Sequence, residues 1–171
     1  MRLILFRHGP AGQRDASLWA DDSLRPLTAK GARRTEAAAR GLFRESRRWD
    51  LILTSPYRRA RETADIVARV LRCGRLEESS ELVPDGDRAA LVRRLSGEAE
   101  GARIVVVGHE PSLGEILGEF CAAPGAYLPL RKAGAACVEF EAEVAPGSGR
   151  LRWLLLPRQL RRLGSGKEDV C

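Results

Sequence analysis

The chain is short of lysine, aromatic residues, histidine and long apolar runs, and each shortage closes off a class of protein. Of 29 basic residues only Lys30, Lys132 and Lys167 are lysine. The positive charge is therefore almost all arginine, whose planar fork grips carboxylates and phosphates with paired hydrogen bonds. Aromatics make up 5% of the residues, too few to interleave with the cations as base-stacking platforms. No apolar run approaches the roughly 20 residues that a bilayer-spanning helix needs. Leu3-Ile4-Leu5-Phe6 is also too short for the core of a signal peptide. Cys73, Cys121, Cys137 and Cys171 lie far apart with no Cys-x-x-Cys pair, and His8 and His109 are the only histidines, so a zinc-finger pattern is excluded. Free thiols are expected, with Cys121 and Cys137 buried. These features describe a soluble, cytoplasmic protein.

What is present fits one globular domain spanning residues 1–171. The composition is 44% hydrophobic and 30% charged, close to the globular average, and a chain this long buries a core without disulfide or metal staples. The net charge of +6 is uneven: residues 150–171 carry +4 of it. The last stretch, from about residue 158, reads as a helical stub and a basic tail. Such a tail could touch an anion, but the body is nearly neutral, so nucleic acid is not the expected partner. A monomer is the default expectation.

Along the chain, short apolar runs alternate with helical periodicity. Leu3–Phe6, Leu51–Thr54 and Ile104–Val107 read as strands buried on both faces. Helices are expected over about 30–47, from Ser55-Pro56 (cap and first helical residue) to Cys73-Gly74, over 88–97, and from Pro111-Ser112 to Cys121. Arg75–Glu77 reads as a short edge strand, and Ala136–Glu141 with Leu151–Leu156 as a hairpin across a Pro-Gly-Ser-Gly turn. The order implies an α/β protein with three layers, α/β/α. Its central sheet is mostly parallel, with an antiparallel C-terminal hairpin at the margin.

Parallel sheets bind ligands beyond the carboxyl ends of their strands, and chemistry-bearing residues follow three strands here. Arg7-His8-Gly9 follows the first, Ser55-Pro56-Tyr57-Arg58-Arg59-Ala60-Arg61-Glu62-Thr63 the second, and Gly108-His109-Glu110-Pro111 the third. Both histidines thus stand at strand exits beside a glycine, with an arginine cluster between them. Arginine holds phosphate oxygens, helix N-termini add free N–H groups, and neutral imidazole is a competent nucleophile near pH 7. The constellation suits phosphoryl transfer through a phosphohistidine, with no cofactor and no metal required.

Arg7-His8-Gly9, Ser55-Pro56-x-x-Arg59-Ala60-x-x-Thr63 and Gly108-His109 resemble the histidine phosphatase superfamily, the phosphoglycerate mutase-like proteins. Among its members the likeness is nearest to the SixA-type phosphohistidine phosphatases, given the short chain, Asp22-Ser23-Leu24-Arg25-Pro26-Leu27-Thr28 and Glu81-Leu82-x-Pro84-x-Gly86-Asp87. It covers roughly residues 2–120. The resemblance implies that His8 is the nucleophile, that Arg7 and Arg59 bind phosphate and that His109 stabilises the moving phosphoryl group. It also implies that Arg25 faces the phosphate, although a loop arginine pairing with Asp21 or Asp22 reads equally well, and Arg58 reads as a solvated helix residue.

A general acid for ester hydrolysis would come from Glu81, Asp85 or Asp87, or from Glu110 beside His109, each of which also reads as a loop or capping carboxylate. A phosphoramidate needs less help, because protonated imidazole leaves as a neutral molecule. The expectation is therefore a hydrolase acting on phosphohistidine carried by a partner protein. A phosphomonoesterase on a small metabolite or nucleotide is a second reading. A non-catalytic phosphate- or nucleic-acid-binding module is a third, from another class.

Overall fold

A computed structural model describes residues 1–46, 48–122 and 125–166. Six strands form a single sheet: β1 (Arg2–Arg7), β2 (Leu51–Thr54), β3 (Leu76–Glu78), β4 (Arg103–Gly108), β5 (Ala135–Glu139) and β6 (Arg150–Leu155). Their order across the sheet is β3-β2-β4-β1-β5-β6. The first four are mutually parallel, while β5 runs antiparallel to both β1 and β6. The expected α/β architecture and marginal hairpin are therefore the observed ones.

The strands form because their residues can be buried on both faces. In β1, Leu3, Ile4, Leu5 and Phe6 are fully inaccessible. Leu3 and Leu5 face one side with Leu51, Leu53, Ile104 and Val106, where Leu91, Leu95, Leu113, Leu117 and Phe120 cover them. These come from helices α3 (Arg88–Ser96) and α4 (Ser112–Cys121). Ile4 and Phe6 face the other side with Ile52, Val105 and Val107. That face is covered by α1 (Ala29–Glu45), α2 (Arg58–Leu71) and α5 (Pro157–Ser165) through Ala38, Leu42, Ala64, Val67 and Leu160. At about 1.5–3 kcal/mol for each large side chain buried, these two half-cores hold the layers together.

Three local expectations differ from the structure. The helix after β2 begins at Arg58, not at Pro56. Ser55 is fully buried, and its hydroxyl accepts from the Tyr57 amide at 3.2 Å while also meeting His109, so it shapes a turn instead of capping the helix. Cys121 is only half-buried, whereas Cys73 and Cys137 are buried; Cys171 lies outside the described residues. Lastly, the expected helical stub is present as α5, but it is docked on the core and does not stand as a solvated end of the chain. Pro157 occupies its first turn, the Gln159 side chain accepts from the Leu156 amide at 2.8 Å, and Leu160 is buried; residues 167–171 lie outside the described part. Among the described residues no helix is long and apolar enough to cross a membrane.

Docking of α5 depends on close backbone approach at Gly41, where an added Cβ would overlap the Leu160 carbonyl. Gly41→Ala is expected to destabilise the protein by about 1–3 kcal/mol despite alanine's better helix propensity. Urea denaturation against the wild type checks this, and an unchanged or raised midpoint would show that α5 can shift without loss.

Candidate active site

The parallel register aligns the ends of three strands. Arg7 stands opposite Gly108, and Thr54 opposite Val107, so the segments after β1, β2 and β4 open onto one edge of the sheet. The backbone carries β1 directly into the site: the His8 amide donates to Gly108 O at 3.0 Å, and the Ala133 amide donates to the carbonyls of Arg7 and His8 at 3.1 and 3.2 Å. Gly9 follows, tied by its amide to Thr63 Oγ1 at 2.9 Å, while that hydroxyl donates to Arg59 O at 2.7 Å. Thr63 thus joins the loop after β1 to α2. Glycine is needed at position 9, since a Cβ there would overlap Thr35 Oγ1.

His8 and His109 lie with ring centroids 5.1 Å apart, and Tyr57 packs edge-on against His109 at 5.1 Å. His8 Nδ1 is 2.7 Å from Gly9 O. A carbonyl only accepts, so Nδ1 carries the proton and Nε2 keeps its lone pair. His109 Nε2 meets Ser55 Oγ at 2.9 Å, leaving Nδ1 buried without a partner. Burial, then the neighbouring His109, pulls the pKa of His8 down to about 2; burial and Arg59 pull His109 down to about 3. Both rings are therefore neutral at pH 7.

The arginines reach the same place from different elements. Arg59 donates to the Asp22 carbonyl at 2.7 Å and pairs with its carboxylate at 3.0 Å. Arg25, 7% exposed, pairs with the other Asp22 oxygen at 2.8 Å and donates to Gly12 O at 2.8 Å. The Arg25 hydrogen bond and the nearby Arg59 hold the Asp22 carboxyl below the usual carboxylate range. Arg7 donates to Leu130 O at 2.8 Å. The Nε atoms of Arg7 and Arg59 are buried without protein partners, an arrangement that suits an incoming anion.

Together these groups line a cleft of about 400 Å³ that also holds Gln13, Arg14, Pro84, Glu110 and Lys132. Arg7, His8, Arg25, Arg59 and His109 are thus assembled in one place, although Arg25 also makes the Asp22 pair that its sequence context suggested. Arg58 points away, exposed and paired with Glu62 at 2.9 Å. The carboxylates of the mid-chain segment do not line the cleft. Asp87 caps α3 by accepting from the Ala90 amide at 3.0 Å, Asp85 and Asp87 border a separate depression, and Glu81 accepts from the Ser79 hydroxyl. Glu110 does line it, and burial raises its pKa, but its oxygens accept from the Leu130 amide at 3.0 Å and Tyr127 OH at 2.8 Å. No group of three or more metal-ligating side chains comes together among the described residues.

Sequence reading missed Lys132 altogether, since it sits in no motif and reaches the cleft only because β5 pairs with β1. Ser55 was read as a cap, and nothing in its spacing signals the bond to His109. Asp22 could have been weighted more heavily, as the one carboxylate adjoining Arg25 that ends up serving two arginines.

Comparison with known proteins bears on what this assembly does. Residues 3–83 match the family model of the histidine phosphatase superfamily (branch 1). The chain is 39% identical over 137 residues to an uncharacterised protein of Picosynechococcus, covering 78% of this chain and 82% of that one. It is 31% identical over 166 residues to phosphohistidine phosphatase SixA of Escherichia coli, covering 94% and 97% of the two chains. The structure of the protein histidine phosphatase SixA complexed with tungstate superposes with a TM-score of 0.81 at 29% identity, over 94% of this chain and 99% of that one. A likeness that runs through nearly the whole of both chains, in sequence and in fold, is one of descent: the protein belongs to the histidine phosphatase superfamily, among its SixA-like phosphatases.

Proposed function

We propose that the protein dephosphorylates phosphohistidine on a partner protein, passing the phosphoryl group through His8. Nε2 of His8 attacks phosphorus as the substrate's N–P bond breaks, and the departing imidazole leaves neutral because its other ring nitrogen holds a proton. Water then attacks the phosphorus on His8, releasing inorganic phosphate and restoring the ring. Arg7, Arg59 and His109 surround the moving oxygens, Arg25 adds charge from behind Asp22, and the cations supply the field that phosphoryl transfer requires. The relatives named for phosphohistidine hydrolysis support this reading.

The observation that carries the choice of substrate is that, among the described residues, no unengaged carboxyl group stands beside His8. Glu81, Asp85 and Asp87 lie outside the cleft, and Glu110 is held by two hydrogen bonds. An alkoxide needs an acid to leave; a protonated imidazole does not. One feature favours a second reading, a phosphomonoesterase: burial raises the pKa of Glu110 at the cleft wall, as a proton donor would require.

The two readings separate in one assay run with chelator present, comparing a phosphohistidine-carrying protein with a panel of phosphate esters. The expected result is rapid loss of phosphohistidine, slowed at least about a thousandfold in His8→Ala, with an acid-labile phosphoenzyme trapped in the wild type. Faster ester hydrolysis that collapses in Glu110→Gln would move the assignment to the second reading. Wild-type rates in His8→Ala would sink both.

The depressed histidines also set a pH dependence. Unfolded histidine titrates near 6.5, whereas His8 and His109 stay neutral down to about 2 and 3 in the folded chain. Between those limits the unfolded state binds more protons, so stability falls as pH drops below 6.5. Each histidine contributes a slope approaching about 1.4 kcal/mol per pH unit well below that point. Denaturation at pH 7, 6 and 5 should show a shallower fall in His8→Asn than in the wild type, and equal slopes would mean that His8 is not held neutral.

A further inference from the structure

Five cations and two carboxylates line the cleft: Arg7, Arg14, Arg25, Arg59 and Lys132 against Asp22 and Glu110. Asp22 is shared by Arg25 and Arg59, and Glu110 is the main favourable charge felt by Arg7. A phosphoryl group brings about two negative charges, which leaves one positive charge unmatched. Arg7, Arg14 and Lys132 make no ion pair among the described residues, but Arg7 feels the charge of Glu110 and Arg14 that of Asp22, whereas the charges that bear on Lys132 are those of Arg7, Arg25 and Arg59. Burial and these three arginines lower its pKa, so the free cleft is an unfavourable place for an ammonium.

The backbone holds it there nonetheless. Lys132 precedes Ala133, whose amide is shared by the carbonyls of Arg7 and His8, and the Arg7 amide donates in turn to Gly134 O at 3.1 Å. Ala133 is buried in a left-handed conformation at φ 58°, strained for a residue with a Cβ. The turn is therefore fastened to the very segment that carries the nucleophile. Lys132 itself remains an exposed residue of the cleft lining, whereas His8, Arg25, Arg59 and His109 are buried.

We propose that Lys132 is a specificity residue: it binds a carboxylate carried beside the phosphoryl group. On the functional reading above, on which the choice of source rests, this is the side chain of an acidic residue flanking the phosphohistidine. The ion pair forms in a partly desolvated cleft, where charge-assisted hydrogen bonds are stronger than on an open surface.

Two phosphohistidyl peptides that differ only in glutamate or glutamine beside the phosphohistidine test this, alongside phosphoglycolate and ethyl phosphate, an ester pair with and without a carboxylate. Wild type is expected to favour the glutamate peptide by about fivefold in kcat/KM, mostly through KM, as one charge-assisted contact would give. Lys132→Met should lose that preference, while Lys132→Arg keeps most of it. No preference in the wild type, or the same preference in Lys132→Met, overturns the inference. So does an equal loss on both peptides together with weaker inhibition by inorganic phosphate, which would make Lys132 a ligand of the phosphoryl group itself. If neither peptide is hydrolysed but the esters are, the phosphohistidine reading fails. The ester pair then decides the inference: a Lys132-dependent preference for phosphoglycolate keeps the carboxylate site for a small-molecule substrate, and none removes it.

Discussion

Asp22 is the contact on which the site depends. Two buried arginines in one cleft repel one another and, like the neutral histidines beside them, lose hydration, and no core packing offsets that by itself. Asp22 offers one carboxylate oxygen to each of Arg25 and Arg59 and its backbone carbonyl to Arg59 as well. It can do so because Asp21 turns the chain just before it, accepting from the Ser23 amide at 2.8 Å. Without that anion both guanidinium groups would stand buried with their charge uncompensated.

The same economy of parts runs through the scaffold. Thr63 fastens Gly9 to α2, Ser55 reaches His109, and the backbone of the turn before β5 grips the end of β1. None of these groups need touch a substrate, yet each fixes one that faces the cleft. Positioning of this kind is what allows side chains from distant parts of the sequence to act together, since misplacement by about 1 Å can cost a hundredfold in rate.

Much of this was readable in advance. Four β-branched residues at 104–107 and the apolar run at 3–6 can satisfy only a strand buried on both faces, and the rule for parallel sheets then put His8, Arg59 and His109 at one edge. What could not be read is what depends on tertiary pairing. Lys132 reaches the cleft only through the antiparallel pairing of β5 with β1, which no local pattern announces. Ser55 followed by Pro56 has the chemistry of a helix cap, but a buried histidine 54 residues away competed for its hydroxyl and won. The arginines at 158, 161 and 162 drew the eye to charge, while Leu160 between them supplied the docking.

The place of β1 between β4 and β5 also orders events during synthesis. The strand that leads into His8 is made before either neighbour, and its partners lie about a hundred residues or more further along. At roughly 5–20 residues per second, both edges of a very apolar strand stay unpaired for several seconds on the ribosome. Local helices can form in that time, but the cleft cannot, because its floor waits for β4 and its far wall for the turn at 130–134. The cleft is thus still unformed while β1 is most exposed, as a strand that other chains could pair with.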